Sequence, residues 1–329
     1  MESNKVEPIK AEINPISVVE KSKENFSLLQ QTITEINKVI LGKTSQVNLA
    51  ICCILAKGHL LIEDLPGMGK TTLAHTLAKV LGLDFARIQF TSDLLPADII
   101  GSAIFNREQS TFDFHPGPVF HQLLLADEVN RATPKTQSAL LEAMAEQQVT
   151  VEGKTRELPE PFFVIATQNP SFQVGTYPLP ESQLDRFFMK IELGYPEIAE
   201  ERHLLEGRDR QILISNIKNG MTSDHLIEMQ AAVNEVKVSS LLRDYILSLL
   251  DESRNSEHCG HGLSPRAGLA LQRAARAWAL LDNRNYCLPE DVQAVFHAVV
   301  EHRLGPTDIH EITAASACQQ LLDAVPVPV

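Results

Sequence analysis

The segment Leu-Pro-Gly-Met-Gly-Lys-Thr at residues 65–71 constrains this chain more than any other stretch of its sequence. Glycines at such a turn let backbone N–H groups close around phosphate oxygens, while a lysine neutralises their charge and a threonine hydroxyl can reach a bound Mg²⁺. A strand at 59–63 and a helix at 71–81 are predicted on either side, so bound phosphates would lie at a helix N-terminus. The residues expected to hold the phosphates are Pro66, Gly67, Met68, Gly69, Lys70, Thr71 and Thr72.

The loop departs from the usual pattern G-x-x-x-x-G-K-[ST], because the position of its first glycine is occupied by Asp64. Asp tolerates left-handed backbone conformations better than most residues, so we expect the chain still to turn there. The alternative interpretation is a glycine-rich turn between two core elements. A downstream acidic strand disfavours that alternative.

This acidic strand, residues 123–128, reads Leu-Leu-Leu-Ala-Asp-Glu and predicts a buried strand that ends in two acids. Asp127 can hold Mg²⁺ through water, and Glu128 can polarise a water molecule for attack on a phosphate. With Lys70 and Thr71 on the phosphate loop, the two acids predict an enzyme that hydrolyses a nucleoside triphosphate.

Composition and charge exclude some classes of protein. The chain has 44% hydrophobic and 22% charged residues, as expected for two ordinary globular domains. No apolar run is long enough to span a membrane and the N-terminus lacks signal-peptide features, so we expect a cytoplasmic protein. The net charge of −13 argues against a nucleic-acid-coating role. His258, Cys259 and His261 lack the spacing of a structural zinc site, which favours a solvated loop.

The order of predicted elements indicates three regions. Residues 1–25 are polar and interrupted by prolines, and are expected to form a flexible arm. Residues 26–195 alternate helices with apolar strands, which is typical of a parallel sheet covered by helices on both faces, and residues 196–329 show only helical patterns. Strands are predicted at 59–63, 85–90, 122–127, 162–167 and 189–193, and helices at 26–38, 44–56, 71–81, 134–146, 181–187, 196–208, 223–236, 239–254, 265–281 and 289–302.

Two β-hairpins are predicted as insertions into this alternation, one at 101–105 with 111–114 and one at 149–151 with 155–158. The second hairpin carries Lys154 and Arg156, which are opposed by Glu152 and Glu157. With two basic and two acidic residues, this hairpin is poorly suited to bind the phosphate backbone of a nucleic acid.

An ordered set of motifs along about residues 35–305 resembles the AAA+ ATPases, and within them the MoxR family, in the clade that includes magnesium chelatase ATPase subunits. The matching segments read EDLPGMGKT (63–71), FTSDLLPADIIG (90–101), PGPVF (116–120), LLLADEVNRATPKTQSALLEAM (123–144), ATQNP (166–170), ESQLDRFFM (181–189) and SPRA (264–267). The resemblance implies an α/β P-loop core, with a parallel sheet between helices and two hairpin insertions, followed by a smaller all-helical lid domain.

Several site residues are implied by this resemblance. Asn169 would be the polar sensor that contacts the γ-phosphate or the attacking water, the alternative being an ordinary turn at a strand end. Arg186 would be an arginine finger that reaches the nucleotide of a neighbouring subunit, the alternatives being a surface salt bridge at Arg186 and Arg131 as the finger. Arg266 would begin a lid helix and report the state of the γ-phosphate.

The adenine pocket would include Val39, Ile40 and Leu41, although aliphatic residues at a turn are as often ordinary core. The resemblance therefore implies an ATPase that uses ATP and Mg²⁺ and works as a homo-oligomeric ring, with the hexamer as the expected size. Its implied work is chaperone-like remodelling, activation or metal-cofactor maturation of protein clients that carry von Willebrand factor A domains. Two alternatives remain open: a motor that grips nucleic acid through the second hairpin, and a nucleotide-regulated switch that hydrolyses slowly.

Overall fold

The computed structural model of the chain describes residues 15–170, 176–206, 210–217, 220–304 and 313–328. Its strands are β1 (Leu60–Glu63), β2 (Phe85–Gln89), β3 (Gly101–Asn106), β4 (Thr111–Pro116), β5 (Leu123–Asp127), β6 (Gln148–Val151), β7 (Lys154–Glu157), β8 (Phe163–Gln168) and β9 (Met189–Ile191). Its helices are α1 (Pro15–Val39), α2 (Thr44–Leu55), α3 (Lys70–Val80), α4 (Pro96–Ile100), α5 (Pro134–Glu146), α6 (Glu181–Leu184), α7 (Ile198–Glu206), α8 (Arg210–Asn216), α9 (Ser223–Glu235), α10 (Ser240–Asn255), α11 (Pro265–Leu281), α12 (Pro289–Val300) and α13 (Ala314–Ala324).

The central sheet is parallel, with the strand order β2-β5-β8-β1-β9. Its inner strands are apolar at successive positions because both faces are covered, and neighbouring side chains enter different cores. Leu60 and Ile62 join the larger core, which also contains residues of the later helices, whereas Leu61 joins a smaller core with Leu140 and Leu141 of α5. The two predicted hairpins are present as β3–β4 and β6–β7.

The parallel arrangement gives the sheet two chemically different edges. At the carboxyl edge lie the loop after β1, the end of β5 and the residues that follow β8 and β9. At the amino edge lie the residues that precede β1, β8 and β9. Because β1 has four residues, a rise of about 3.3 Å per residue separates the two edges by about 13 Å along that strand.

After β9, the elements in the described ranges are helices, and they pack against the helix that precedes the sheet. The Gln230 side-chain amide on α9 donates to the carbonyl of Ile54 at 2.8 Å, and the Cys52 thiol contacts the carbonyl of Ala274 on α11 at 3.4 Å. The predicted domain boundary at 195 falls in the connector between β9 and α7. Within the described ranges, no helix combines the length and hydropathy needed to cross a bilayer.

The structure corrects several predicted boundaries. The flexible arm predicted over 1–25 is wrong for 15–25, because α1 already begins at Pro15; residues 1–14 lie outside the described ranges. A proline interrupts a helix in its interior, but a proline at the first helical position loses no hydrogen bond. The helix predicted over 196–208 is described only as α7, and 207–208 lie outside the described ranges. The short helices α4 and α8 and the later helix α13 had no predicted counterpart.

His59, which precedes β1, makes fold stability depend on pH. Its Nδ1 accepts a hydrogen bond from the backbone N–H of Val164 at 3.1 Å and its Nε2 donates to the carbonyl of Met144 at 3.1 Å, which fixes a neutral ring. Burial lowers the pKa of His59 to about 4. As the pH falls below about 6.5, the His59 ring takes up a proton in the unfolded chain but not in the folded chain. The free energy of unfolding therefore decreases between about pH 6.5 and pH 4.

We expect the free energy of unfolding to fall by about 2 kcal/mol between pH 7.5 and pH 5 through this group. His59→Gln keeps one donor and one acceptor without a titrating ring, so this variant should show a shallower pH dependence. Urea unfolding of both proteins at the two pH values measures the difference. Equal pH dependence in the two proteins would contradict the assignment.

Candidate functional site

The phosphate loop between β1 and α3 has the shape of an anion cradle. Gly67 and Gly69 adopt φ values of 87° and 90°, in the left-handed region that favours glycine. A Cβ built on either glycine would meet nothing within 4 Å, so open space lies above both. No side chain caps the N-terminus of α3, which leaves its first N–H groups free to bind phosphate oxygens.

Lys70 lies at the first position of α3 with its ammonium group folded back onto the loop. The Nζ donates to the carbonyl of Asp64 at 2.6 Å and to that of Leu65 at 3.3 Å. Partial burial lowers the pKa of Lys70, and the carboxylates of Asp64, Asp127 and Glu128 oppose that shift. The amine is therefore partly desolvated, and it interacts electrostatically with these three acids.

Asp127 ends β5 and is buried beside this amine. One carboxylate oxygen accepts the hydroxyl of Thr167 at 2.6 Å, and the other accepts the guanidinium of Arg87 at 2.6 Å. Together with the Thr71 hydroxyl, the Asp127 carboxylate is the donor set that Mg²⁺ prefers. A bound Mg²⁺ would supply positive charge to the β- and γ-phosphates at this point.

Glu128 follows Asp127 in a left-handed conformation, with φ 55° and ψ 50°. Such a conformation costs free energy in a residue other than glycine, and strain of this kind is concentrated at functional sites. The backbone N–H of Glu128 donates to the Thr167 hydroxyl at 2.8 Å. The same hydroxyl therefore fixes both acids, as a donor to Asp127 and as an acceptor from Glu128.

Three side chains donate hydrogen bonds to the Glu128 carboxylate. Asn169 donates to Oε1 at 3.1 Å, while Gln89 and Arg131 donate to Oε2 at 2.9 and 2.7 Å. The structure thus brings the predicted sensor Asn169 into contact with the predicted base Glu128. It also directs Arg131, the competing finger candidate, into the site of its own chain.

A small cavity of about 80 Å³ adjoins the loop, and neither Asp127 nor Glu128 is among its lining residues. Of the three predicted adenine-pocket residues, Ile40 and Leu41 line this cavity. Val39 does not line it: this residue ends α1 and is buried in the core, so the ordinary-core alternative holds for that position. The remaining lining residues are Lys43, Gly67, Met68, Gly69, Leu193, Gly194 and Pro196.

The two predicted arginines Arg186 and Arg266 lie elsewhere, in a cavity of about 300 Å³ at the amino edge of the sheet. Residues 57–59, which lead into β1, and Phe188, which leads into β9, form part of its wall. Arg266 lies near the start of α11, as predicted, and lines this cavity rather than the one beside the phosphate loop of its own chain. Its role in reporting the state of the γ-phosphate stays a prediction. Sequence order alone gives no sign of which edge a lid helix begins at.

This amino-edge cavity is strongly basic. Its cationic residues are Lys57, Arg186, Arg266, Arg273 and Arg303, and its acidic residue is Asp185. Arg303 is held by Asp185 at 2.8 Å and also donates to the carbonyls of Phe187 at 2.7 Å and Phe188 at 3.1 Å. These bonds fix the backbone next to Arg186.

Two features of the carboxyl edge were not predicted from the sequence. Arg87 and Gln89 of β2 contact the acids because β2 pairs with β5 in register, with Gln89 opposite Asp127. Thr167 was seen only as the end of a strand. In a parallel sheet the last residues of neighbouring strands converge, and that rule is the signal that could have identified Thr167, whereas Arg87 and Gln89 depend on the pairing of β2 with β5.

Comparison with known proteins shows which family the chain belongs to. A model for the ATPase family associated with various cellular activities (AAA) matches residues 59–189, and a model for the AAA lid domain matches residues 251–320. Chaperone MoxR1 of Mycobacterium tuberculosis is 39% identical over 91% of this chain and 82% of that protein. Protein MoxR of Paracoccus denitrificans is 32% identical over 89% of this chain and 94% of that protein. The chain belongs to the MoxR family of AAA+ ATPases.

A solved structure has the same fold over most of this MoxR-family chain. The crystal structure of a Cytophaga hutchinsonii protein assigned as an ATPase superposes with a TM-score of 0.86 at 38% identity, covering 95% of this chain and 99% of that one. The predicted fold class, an α/β AAA+ core with a helical lid, is thereby confirmed. In this MoxR-family protein the phosphate loop and the acidic strand belong to the AAA region, and Arg266 to the lid region.

Proposed function

We propose that this chain hydrolyses ATP with Mg²⁺ as one subunit of a ring, a hexamer, and uses the reaction in the cytoplasm to remodel or activate protein partners. Lys70, Thr71 and the loop glycines hold the phosphates, Asp127 holds the metal through water, Glu128 polarises the attacking water and Asn169 orients it. The chaperone-like role is supported by the similarity to Chaperone MoxR1. Clients with von Willebrand factor A domains are part of the same proposal.

The observation that carries the ring proposal is the division of charge between the two edges of the sheet. The acids, Lys70 and the phosphate loop form one half of a site at the carboxyl edge, whereas Arg186 and Arg266 lie in the basic cavity at the amino edge. About 13 Å of strand separates the two edges, which favours a role for these arginines on another chain's phosphoryl group over one on their own chain's loop. A second copy would present its carboxyl edge to them, and rotation-related copies placed in this way close into a ring.

Two features of the hairpins favour protein partners over nucleic acid. The guanidinium of Arg156 lies 3.8 Å from the centre of the Phe114 ring and donates to the carbonyls of Val151 and Lys154, so it is engaged within the chain. In the first hairpin, the large apolar residues Ile104, Phe105 and Phe112 are at least half exposed. A cluster of exposed apolar side chains is typical of a surface that binds another protein.

We expect ATP turnover to be unchanged by duplex or single-stranded DNA at physiological salt, and to change when a protein with a von Willebrand factor A domain is added. The physical reason is the absence of a free basic track on the hairpins, together with the net charge of −13. Steady-state hydrolysis measured with each addition, at two salt concentrations, tests this expectation. A several-fold, salt-sensitive stimulation by DNA would support the motor instead, and slow turnover that no partner changes would support the nucleotide-regulated switch.

A further inference from the structure

Asp64 occupies the first glycine position of the phosphate-loop pattern, but its backbone does not adopt a left-handed conformation. Its φ is not among the positive values found in the described part of the chain, which corrects the expectation from sequence. Its backbone instead continues the sheet: the N–H donates to the carbonyl of Gln168 on β8 at 3.3 Å, and the carbonyl accepts from Lys70. The side chain must therefore explain why this residue is an aspartate.

The Asp64 carboxylate binds the connector that follows β9. Its Oδ2 accepts the backbone N–H groups of Leu193 at 2.8 Å and Gly194 at 2.7 Å, and its Oδ1 accepts the N–H of Leu65 at 2.8 Å. Leu193 is buried, and its N–H lies beyond the last ladder position of β9. Without the carboxylate that buried donor would lose its partner, which is costly.

The connector held in this way is a wall of the cavity beside the loop. Leu193, Gly194 and Pro196 line it, as do Ile40 and Leu41 of the turn after α1. A second tether starts from another lining residue, Lys43, whose ammonium donates to the carbonyl of Tyr195 at 2.7 Å. Gly194 itself turns the chain with φ 64°. Residues 193–196 are thus fixed from the phosphate loop on one side and from the α1–α2 turn on the other.

We propose that Asp64 is a positioning residue that holds residues 193–194 as a wall of the nucleoside part of the site, and so sets the affinity for the nucleoside rather than for the phosphates. The inference rests on the proposed function, since it assumes that the cavity receives the nucleoside of a triphosphate. It assigns to a loop residue a contact that the glycine of the general pattern cannot make.

The substitution Asp64→Gly distinguishes the contribution of the nucleoside to binding from that of the phosphates. Glycine is the residue that the general pattern places here, so the loop keeps a backbone compatible with phosphate binding, but the clamp on the connector is gone. Asp64→Gly removes all three hydrogen bonds to the carboxylate. We expect ATP to bind about tenfold more weakly, which corresponds to the free energy of about one hydrogen bond to a charged group appearing in ATP binding. Inorganic tripolyphosphate, which has no nucleoside, should bind Asp64→Gly as well as it binds the original protein, or more tightly because a negative charge has been removed.

Calorimetric titration of both ligands with Mg²⁺ tests the inference through the ratio of the tripolyphosphate Kd to the ATP Kd. This ratio should fall about tenfold in Asp64→Gly and recover in part in Asp64→Asn, whose amide oxygen can still accept from Leu193 and Gly194. Asp323→Asn, an exposed aspartate at the end of α13, removes the same charge and should leave the ratio unchanged. An unchanged ratio in Asp64→Gly would overturn the inference.

Hydrogen exchange of the Leu193 and Gly194 amides gives a readout that needs no ligand. Asp64→Gly should lose protection at these two amides, and Asp323→Asn should not. Failure of the original protein to bind ATP at all would refute the proposed function while exchange still reported on the clamp. Unchanged protection in Asp64→Gly would refute the clamp whatever the ligand does.

Discussion

Glu128→Gln is expected to bind ATP and to lose most of its turnover, whereas Lys70→Ala is expected to lose tight ATP binding. The glutamine keeps the size of the side chain and an acceptor for Asn169, but it cannot take a proton from the attacking water. General-base catalysis contributes about 10²- to 10⁴-fold in rate, and a loss in that range is the expected result. Lys70→Ala instead removes the ammonium from the loop that closes around the phosphates.

Nucleotide titration paired with a steady-state ATPase assay separates these two outcomes. The structure offers a matched control in Glu235→Gln, an exposed glutamate at the last position of α9, which should change neither quantity. Glu128→Gln should also have a local effect, because Arg131 loses its ion pair with the Glu128 carboxylate, which is 2.7 Å long in the structure. Near-normal hydrolysis by Glu128→Gln would show that another group activates the water.

The parts of the site that the sequence predicted best are those in which adjacent residues do the chemistry. The phosphate loop, the start of α3 and the two acids at the end of β5 each occupy a short segment. Residues that are close in the sequence are therefore close in the structure. The alternation of apolar strands and helices likewise predicted a parallel sheet, which brings strand ends together. Asn169 could be placed beside Glu128 on that ground, and the structure joins them.

What the sequence could not supply depends on strand order and on contacts between distant segments. Arg87 and Gln89 reach the acids only because β2 pairs with β5, an arrangement that no local pattern states. The role of Asp64 likewise depends on a connector far along the chain. The predicted start of α1 is wrong for a different reason. The polar composition of residues 15–25 indicates a flexible arm, but Pro15 occupies the first position of a helix, where a proline is well tolerated.

Arg266 was predicted at the start of a lid helix, and it lies at the start of α11. Its position after Ser264 at the start of α11 followed from capping chemistry, and the Ser264 side chain does cap that helix. The edge of the sheet at which α11 begins depends on how the helical region packs against α2 and β9. Arg266 consequently lies 3.7 Å from Asp185, on the same side as Arg186. Both arginines therefore become candidates for one task, on a neighbouring subunit.

Mixing Arg186→Ala with Glu128→Gln is expected to restore ATP hydrolysis that neither variant shows alone. A subunit with Arg186→Ala keeps its own phosphate loop and acids but offers no guanidinium to its neighbour. A subunit with Glu128→Gln has an inactive pocket of its own but still carries Arg186. In a mixed ring, some Arg186→Ala pockets face a Glu128→Gln neighbour and become complete. Loss of such a finger can cost ~10³-fold or more in rate, so even a small restored fraction is measurable.

The contact between Arg131 and Glu128 supplies the control that decides which arginine acts between subunits. Both residues belong to the pocket of one chain, so Arg131→Ala and Glu128→Gln damage the same pocket and their mixture should stay inactive. Native mass spectrometry establishes that subunits have exchanged in each mixture. Recovery with Arg131→Ala and none with Arg186→Ala would make Arg131 the finger and would require it to leave Glu128 when a neighbour docks. Recovery with Arg186→Ala alone assigns the basic cavity at the amino edge to the neighbour's nucleotide.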